Sequence, residues 1–185
     1  MEKVNLFLLY GISSFLVYLL SDYLEYKGGE IYLKSGKILG CLSVMLLLLS
    51  VIGLIIFSPK WQISLPFKII AALFSFLNLL LTVKSLFLEV SFFNKGKETL
   101  VTEGSYKLCR HPGVLWLFLF LIFLSLATGS IYLFYGAFLF FALNMIIAIS
   151  EDKIFLPAKF SKYEDYKKRV PFLLPHLRDL FRYLK

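Results

Sequence analysis

The chain has 185 residues, of which 59% are hydrophobic and only 17% charged, and it carries a formal net charge of +8. Soluble domains are typically about 45–50% apolar and about 25% charged, whereas here the apolar residues fall into long blocks nearly free of charge. That pattern excludes a disordered chain, a disulfide-stapled secreted domain and a conventional soluble enzyme, and leaves a small multi-span membrane protein.

One crossing of the hydrocarbon core needs about 20 apolar residues. The first candidate covers 4–20 and ends at Ser21 and Asp22; the second covers 38–57 and ends at Ser58-Pro59-Lys60. The third runs from 65 to about 88, with Lys68 and Lys84 near its ends, where long side chains reach the interface. Residues 113–149 then form a block of 37 without a charge. As one helix it would be about 55 Å long, too long for a bilayer. Thr128-Gly129-Ser130 near its middle carries turn chemistry, so the block reads as a tight hairpin of helices 113–127 and 131–149. At the C-terminus Leu177, Leu180, Phe181 and Leu184 share one face opposite Arg178, Arg182 and Lys185, the pattern of an amphipathic surface helix. The expected fold is therefore all-α, an integral membrane protein with about five transmembrane helices and a C-terminal amphipathic segment. A three-span region, 1–93, precedes a second region, 94–185.

Five spans place sixteen lysines and arginines on one side and two, Lys3 and Lys60, on the other. The positive-inside rule then puts the N-terminus outside and the C-terminus in the cytoplasm. Because the basic residues follow topology, no nucleic-acid partner is expected. The first span reads as a retained helix, since no small-residue cleavage site follows it and the first alanine is Ala71. Cys41 falls within the second span and Cys109 on the inferred cytoplasmic side, and the two histidines, His111 and His176, do not make a metal site. No phosphate-binding glycine loop is present.

Ionisable residues gather at both ends of the hairpin. Residues 100–112 precede it; Glu151-Asp152 and residues 160–171 follow it. An antiparallel hairpin brings these segments to one membrane face and sets Arg110 and His111 near Glu151 and Asp152. Each feature also has a plain structural reading. Arg110-His111-Pro112 serves as a positive anchor with proline in a first helical turn. Glu151-Asp152 forms a solvated acidic pair, although two carboxylates at a helix C-terminus oppose the macrodipole. Phe160, Tyr163 and Tyr166 form an interfacial aromatic belt. Asn144, two turns before Glu151, either lines the same cavity or bonds a neighbouring helix.

The ordered set is Leu100-Val101-Thr102-x-Gly104-x-Tyr106-x-x-x-Arg110-His111-Pro112, a hydrophobic hairpin, Glu151-Asp152, then Tyr163-x-x-Tyr166-Lys167-Lys168-Arg169-Val170-Pro171. It resembles the isoprenylcysteine carboxyl methyltransferases, whose broader relatives include integral-membrane phospholipid methyltransferases, over residues 98–175. The resemblance implies an S-adenosylmethionine-dependent membrane methyltransferase working at the cytoplasmic face on a lipid-like or prenylated acceptor. A prenylcysteine carboxylate is favoured over an amine. It makes 94–185 the methyltransferase-like region, with Tyr106, Arg110, His111, Pro112, Glu151, Asp152, Tyr163 and Tyr166 holding the cofactor and Glu151 and Arg169 in catalytic roles. Two departures bear on pocket shape: Val114 and Trp116 replace the tyrosine and glycine that usually follow Arg-His-Pro, and Phe-Gly-x-x-Tyr is shortened to Phe160-Ser161-Lys162-Tyr163. They leave a phospholipid amine methyltransferase, or a non-catalytic membrane protein of the same fold, as alternatives. A transporter or channel is disfavoured by the scarcity of charge within the spans.

Overall fold

The computed structural model describes residues 2–89 and 100–175. All regular elements among them are helical, and the only pairing of extended backbone is an isolated bridge between Lys60 and Ser130. Helices α1 (Glu2–Lys27), α2 (Glu30–Phe57), α3 (Leu65–Val83), α4 (Pro112–Thr128) and α5 (Ile131–Ser150) run alternately up and down the bundle, and a short helix α6 (Tyr163–Arg169) follows. Four described helical stretches are long and apolar enough to cross a membrane: Glu2–Lys27, Glu30–Phe57, Leu65–Glu89 and Ile131–Lys159. α4, with 17 residues, is shorter.

Local chemistry sets the boundaries. α1 continues past Leu20 because Ser21 and Asp22 are compatible with a helix; the break comes at Gly28 and Gly29, whose φ angles of 69° and 90° suit only glycine. α2 accordingly starts at Glu30, eight residues before the expected 38, and stops where Ser58 turns extended ahead of Pro59. Pro66 and Pro112 sit in the first turns of α3 and α4, where a missing N–H costs nothing. The expected hairpin turn is present. Gly129 closes α4 in the left-handed region at φ 69°, and the Ser130 hydroxyl accepts from Leu133 N to cap α5 while donating to Leu54 O. The loop after α2 is fastened to that turn by Trp61 N to Gly129 O at 2.7 Å and Ile131 N to Pro59 O at 3.2 Å.

The buried core is narrow: Phe15, Leu54, Leu121, Leu133, Phe140 and Ile147 meet between α1, α2, α4 and α5. Large apolar residues on α2 and α3, among them Met45, Ile52, Leu73 and Phe76, face outward. Between the helices lie small or polar residues instead, including Ser14, Ser43, Ser50, Ser75 and Ser125. That inversion is how helices associate in lipid, where apolar surface gains nothing by hiding and close backbone approach supplies the contact. Thus α1 meets α5 where Gly11 lies under the Phe140 ring, and α1 meets α2 where Phe7 lies over Gly53.

At one end of the bundle two helices loosen into π turns, Lys84–Glu89 after α3 and Glu151–Phe155 after α5, the latter leading into a last helical turn, Leu156–Lys159. Such turns are concentrated at functional sites. The expected amphipathic segment around Leu177, Leu180, Phe181 and Leu184 lies outside the described residues, as do His176, Lys95 and Lys97.

Candidate functional site

The end of the bundle that carries both π turns collects the ionisable side chains. Gly104–Lys107 forms a single 3-10 turn held from below by Glu89. Both carboxylate oxygens of that buried residue lie 3.0 Å from Ser105 N, and the Ser105 hydroxyl donates to one of them at 3.1 Å. Gly104, at φ 62°, is the residue the turn requires, since a Cβ there would lie 2.4 Å from Glu89 Oε1. The turn presents Tyr106, whose hydroxyl reaches Ser85 O at 3.3 Å, and leads to Arg110 and His111 at the mouth of α4.

Arg110, His111, Glu151 and Asp152 meet as the hairpin expectation required. Asp152 is the hub. Arg110 faces it with Nε 2.8 Å from Oδ1 and Nη2 3.3 Å from Oδ2; the Nε contact is an ion pair whose N–H is not aimed at the oxygen, and Nη2 makes the aligned bond. Tyr163 donates to Asp152 Oδ1 at 2.6 Å, and Lys167 Nζ lies 3.3 Å from Oδ2. The rest of the Arg110 guanidinium is spent on backbone: Nη1 donates to Lys167 O at 2.8 Å and to Val170 O at 3.1 Å. His111 is buried with Nδ1 3.4 Å from Glu151 Oε2, and its ring lies against Phe172 at 4.9 Å. Tyr166 donates to Tyr106 O at 2.7 Å.

Burial, and then the accepting Asp152 carboxylate, hold the Tyr163 phenol well above its ordinary range. Burial likewise raises the Tyr106 and Tyr166 phenols, and it pushes the Cys109 thiol up to about 12. These groups are neutral donors or inert fillers at neutral pH, not nucleophiles.

Two cavities flank Glu151. The first, about 460 Å³, is lined by Asp22, Glu25 and Tyr26 of α1, by Tyr106 and Arg110, by Glu151, Phe155 and Lys159, and by Phe160, Tyr163 and Tyr166. The second, about 400 Å³, reaches between the helices and is lined by Ser14 and Phe15, Ser43 and Leu47, His111 to Val114, Leu117, Asn144 and Glu151. Asn144 and Glu151 therefore share a cavity, one of the two readings open from the sequence. Pro112 opens α4 beside the second cavity and offers it no polar group.

Of the residues carried over from the resemblance, all but one gather here. Arg169 does not: it is exposed on α6 and its Nε donates to Asp165 O one turn back. Asp152 lines neither cavity, because its oxygens are turned toward Arg110, Tyr163 and Lys167. Val114 borders the second cavity, whereas Trp116 borders neither. Asp22, which the sequence places at the polar end of the first span, and Glu25, to which the sequence alone assigns no role, also belong to the site. Asp22 lines the first cavity together with Glu151, across the contact between α1 and the end of α5. Glu25 at i+3 from Asp22 was a legible signal, since one helix face then carries two acids just past an apolar block.

No protein-family model matches the chain, and no solved structure does. Two curated relatives do. The chain is 34% identical over 101 residues to the nickel-cobalt-cadmium resistance protein NccN of Alcaligenes xylosoxydans xylosoxydans, covering 55% of this chain and 47% of that protein. It is 33% identical over 103 residues to the cobalt-zinc-cadmium resistance protein CzcN of Cupriavidus metallidurans, covering 56% of this chain and 47% of that protein. The chain thus spans about half the length of the curated relatives it matches. These findings correct the sequence reading. Neither relative is named as a methyltransferase, so assignment to the isoprenylcysteine carboxyl methyltransferases, and the methyl-transfer activity that followed from it, are overturned. The geometry supplies a physical reason for part of the misreading: Arg-His-Pro followed by an acidic pair is also what a buried Arg110–Asp152 tie between a loop and a helix end requires.

Proposed function

We propose that this chain is a five-span membrane protein, N-terminus outside and C-terminus cytoplasmic, that takes part in resistance to divalent transition-metal ions and engages a cationic ligand in the first cavity. The α4 helix counts as the fifth span at the short end of the usual length range. The sixteen-to-two distribution of basic residues supports the orientation.

The observation that carries the ligand reading is the cavity wall itself. Asp22, Glu25 and Glu151 contribute three carboxyl groups to a space also lined by tyrosine, phenylalanine and aliphatic side chains, by Lys159, and by Arg110, whose charge is matched by Asp152. Carboxylates concentrated in a cleft with low-dielectric walls attract cations, and ring faces add to the attraction. Among the described residues no three His, Cys, Asp or Glu side chains converge as a ligand set for a bare metal ion. A divalent ion would therefore be held through its water shell, which suits rapid exchange rather than storage. The names of the relatives favour a metal ion as that cation.

A second cation fits on the aromatic lining: S-adenosylmethionine as a bound ligand, with its ammonium and sulfonium toward the carboxylates and its adenine against the tyrosines. Arg110 offers its carboxylate no free fork, being engaged by Asp152 and two carbonyls.

Expression in a metal-sensitive bacterial host tests the proposal. Tolerance of nickel, cobalt, cadmium or zinc salts should rise with the wild-type chain and fall back with the Asp22→Asn/Glu151→Gln double variant. Equal tolerance with wild type, double variant and empty vector, at verified membrane expression, overturns it.

A further inference from the structure

The segment 160–172 contributes three rings to the wall of the first cavity and is held to the bundle mainly through polar ties. Phe160, Tyr163 and Tyr166 line the cavity, and of the α6 residues only Tyr163 and Tyr166 are buried. Besides those two rings and that of Phe172, 163–172 is tied to the rest of the bundle by polar contacts that converge on Asp152 and on the strip 106–111. Tyr163 and Lys167 go to Asp152; Tyr166 goes to Tyr106 O; Arg110 gathers Lys167 O and Val170 O. Arg110 N donates to Pro171 O at 2.9 Å and His111 N to Phe172 O at 3.2 Å. Phe172 also lays its ring against His111 and under the Arg110 guanidinium.

We infer that residues 160–172 form a cover that opens as a unit to give access to the first cavity, with Asp152 as its latch. Segments secured by few buried apolar contacts open at lower cost than the body of a fold. At the end nearest α5 the cover begins at Phe160, where the backbone turns extended after the last helical turn, so a change there swings α6 without disturbing α5. Asp152 is a positioning residue in this account: it touches neither cavity and acts by holding Tyr163 and, through Arg110, the 167–172 backbone. The gating role rests on the cation reading given above; the opening itself does not.

Hydrogen exchange of the full-length protein in detergent or nanodiscs tests the inference, with and without cobalt(II) chloride. Amides of 163–172 should exchange at least about tenfold faster than those in the middle of α4 and α5. Asp152→Asn should accelerate the cover by about a further tenfold, the scale set by losing charge-assisted bonds, and leave α4 and α5 unchanged. Lys167→Met, which removes one tie and keeps the carboxylate, should move the same amides by a smaller factor, and it carries the test if Asp152→Asn fails to fold. Exchange of 163–172 in step with α4 and α5, or acceleration by the variants spread evenly over the protein, overturns the cover. If the cover opens as described but cobalt(II) leaves its exchange unchanged, the metal reading fails and the cover stands.

Discussion

Arg110→Ala is the sharpest perturbation of the charged end. In the folded protein Asp152 is 5% exposed and Arg110 supplies its closest cationic contact. Removing one partner of a buried ion pair costs about 3–5 kcal/mol, because the remaining charge stays buried. Asp152 keeps the Tyr163 hydroxyl and the Lys167 ammonium, which places its share near the lower end of that range, about 3 kcal/mol. The carbonyls of Lys167 and Val170 also lose their donor, each worth about 1 kcal/mol, although both lie near enough to the surface for water to replace part of it. A net loss of about 3 kcal/mol corresponds to a drop in Tm of about 6–12 °C for a chain of this size. Thermal unfolding of the purified protein in detergent, followed by circular dichroism, reads that shift. Arg110→Met combined with Asp152→Asn should cost less than the sum of the two single changes by about 2 kcal/mol, since the double variant leaves no orphaned charge. A Tm for Arg110→Ala within about 2 °C of wild type, or strictly additive effects in the cycle, would refute the hub.

Three further outcomes follow from the same geometry. Gly11→Ala should destabilise by about 1–3 kcal/mol, because its Cβ would sit 2.2 Å from the buried Phe140 ring, whereas Gly40→Ala, which meets only Ser21 Oγ at 3.4 Å, should be close to neutral; unfolding midpoints of the two variants compare them directly. Cys109, fully buried and with its thiol pushed up to about 12, should resist maleimide in the folded protein with no gain between pH 7 and pH 9, then react at once in sodium dodecyl sulfate. The direction follows from the raised value: the thiolate appears only as the pH approaches the folded-state pKa. Arg169→Ala, on the exposed side of α6, should change stability by less than about 0.5 kcal/mol and leave cobalt titration curves unaltered, in contrast to Arg110→Ala.

The helical architecture was legible because long uncharged blocks admit few arrangements. The hairpin turn in particular followed from Thr128-Gly129-Ser130, where a left-handed glycine and a capping serine do what those residue types do best. The meeting of Arg110 and His111 with Glu151 and Asp152 was legible for the same reason, since a hairpin fixes which ends are neighbours. What escaped was geometry that depends on helix phase. The π turn at Glu151–Phe155 shifts the register so that Asp152 is buried while Glu151 borders both cavities, and nothing in the residue types announces an extra residue per turn. α1 and α2 run longer than the apolar blocks because their polar residues continue the helices, and only Gly28 and Gly29 force the break. Asp22 and Glu25 reach the site by lying on the part of α1 beyond the apolar block, which composition alone does not assign to a helix. Function was the largest error. An ordered set of motifs pointed to a transferase, while the relatives carry names in metal resistance.

The central claim is that the acid-lined, aromatic-walled cavity beside Glu151 holds a cation. Isothermal titration of the purified protein with cobalt(II) chloride, and in parallel with S-adenosylmethionine, addresses it directly. The account predicts saturable one-site heat with at least one of these cations, strongly weakened by Glu151→Gln but not by Arg169→Ala. Folded wild-type protein that gives no saturable heat with either, or heat that Glu151→Gln leaves unchanged, would contradict it.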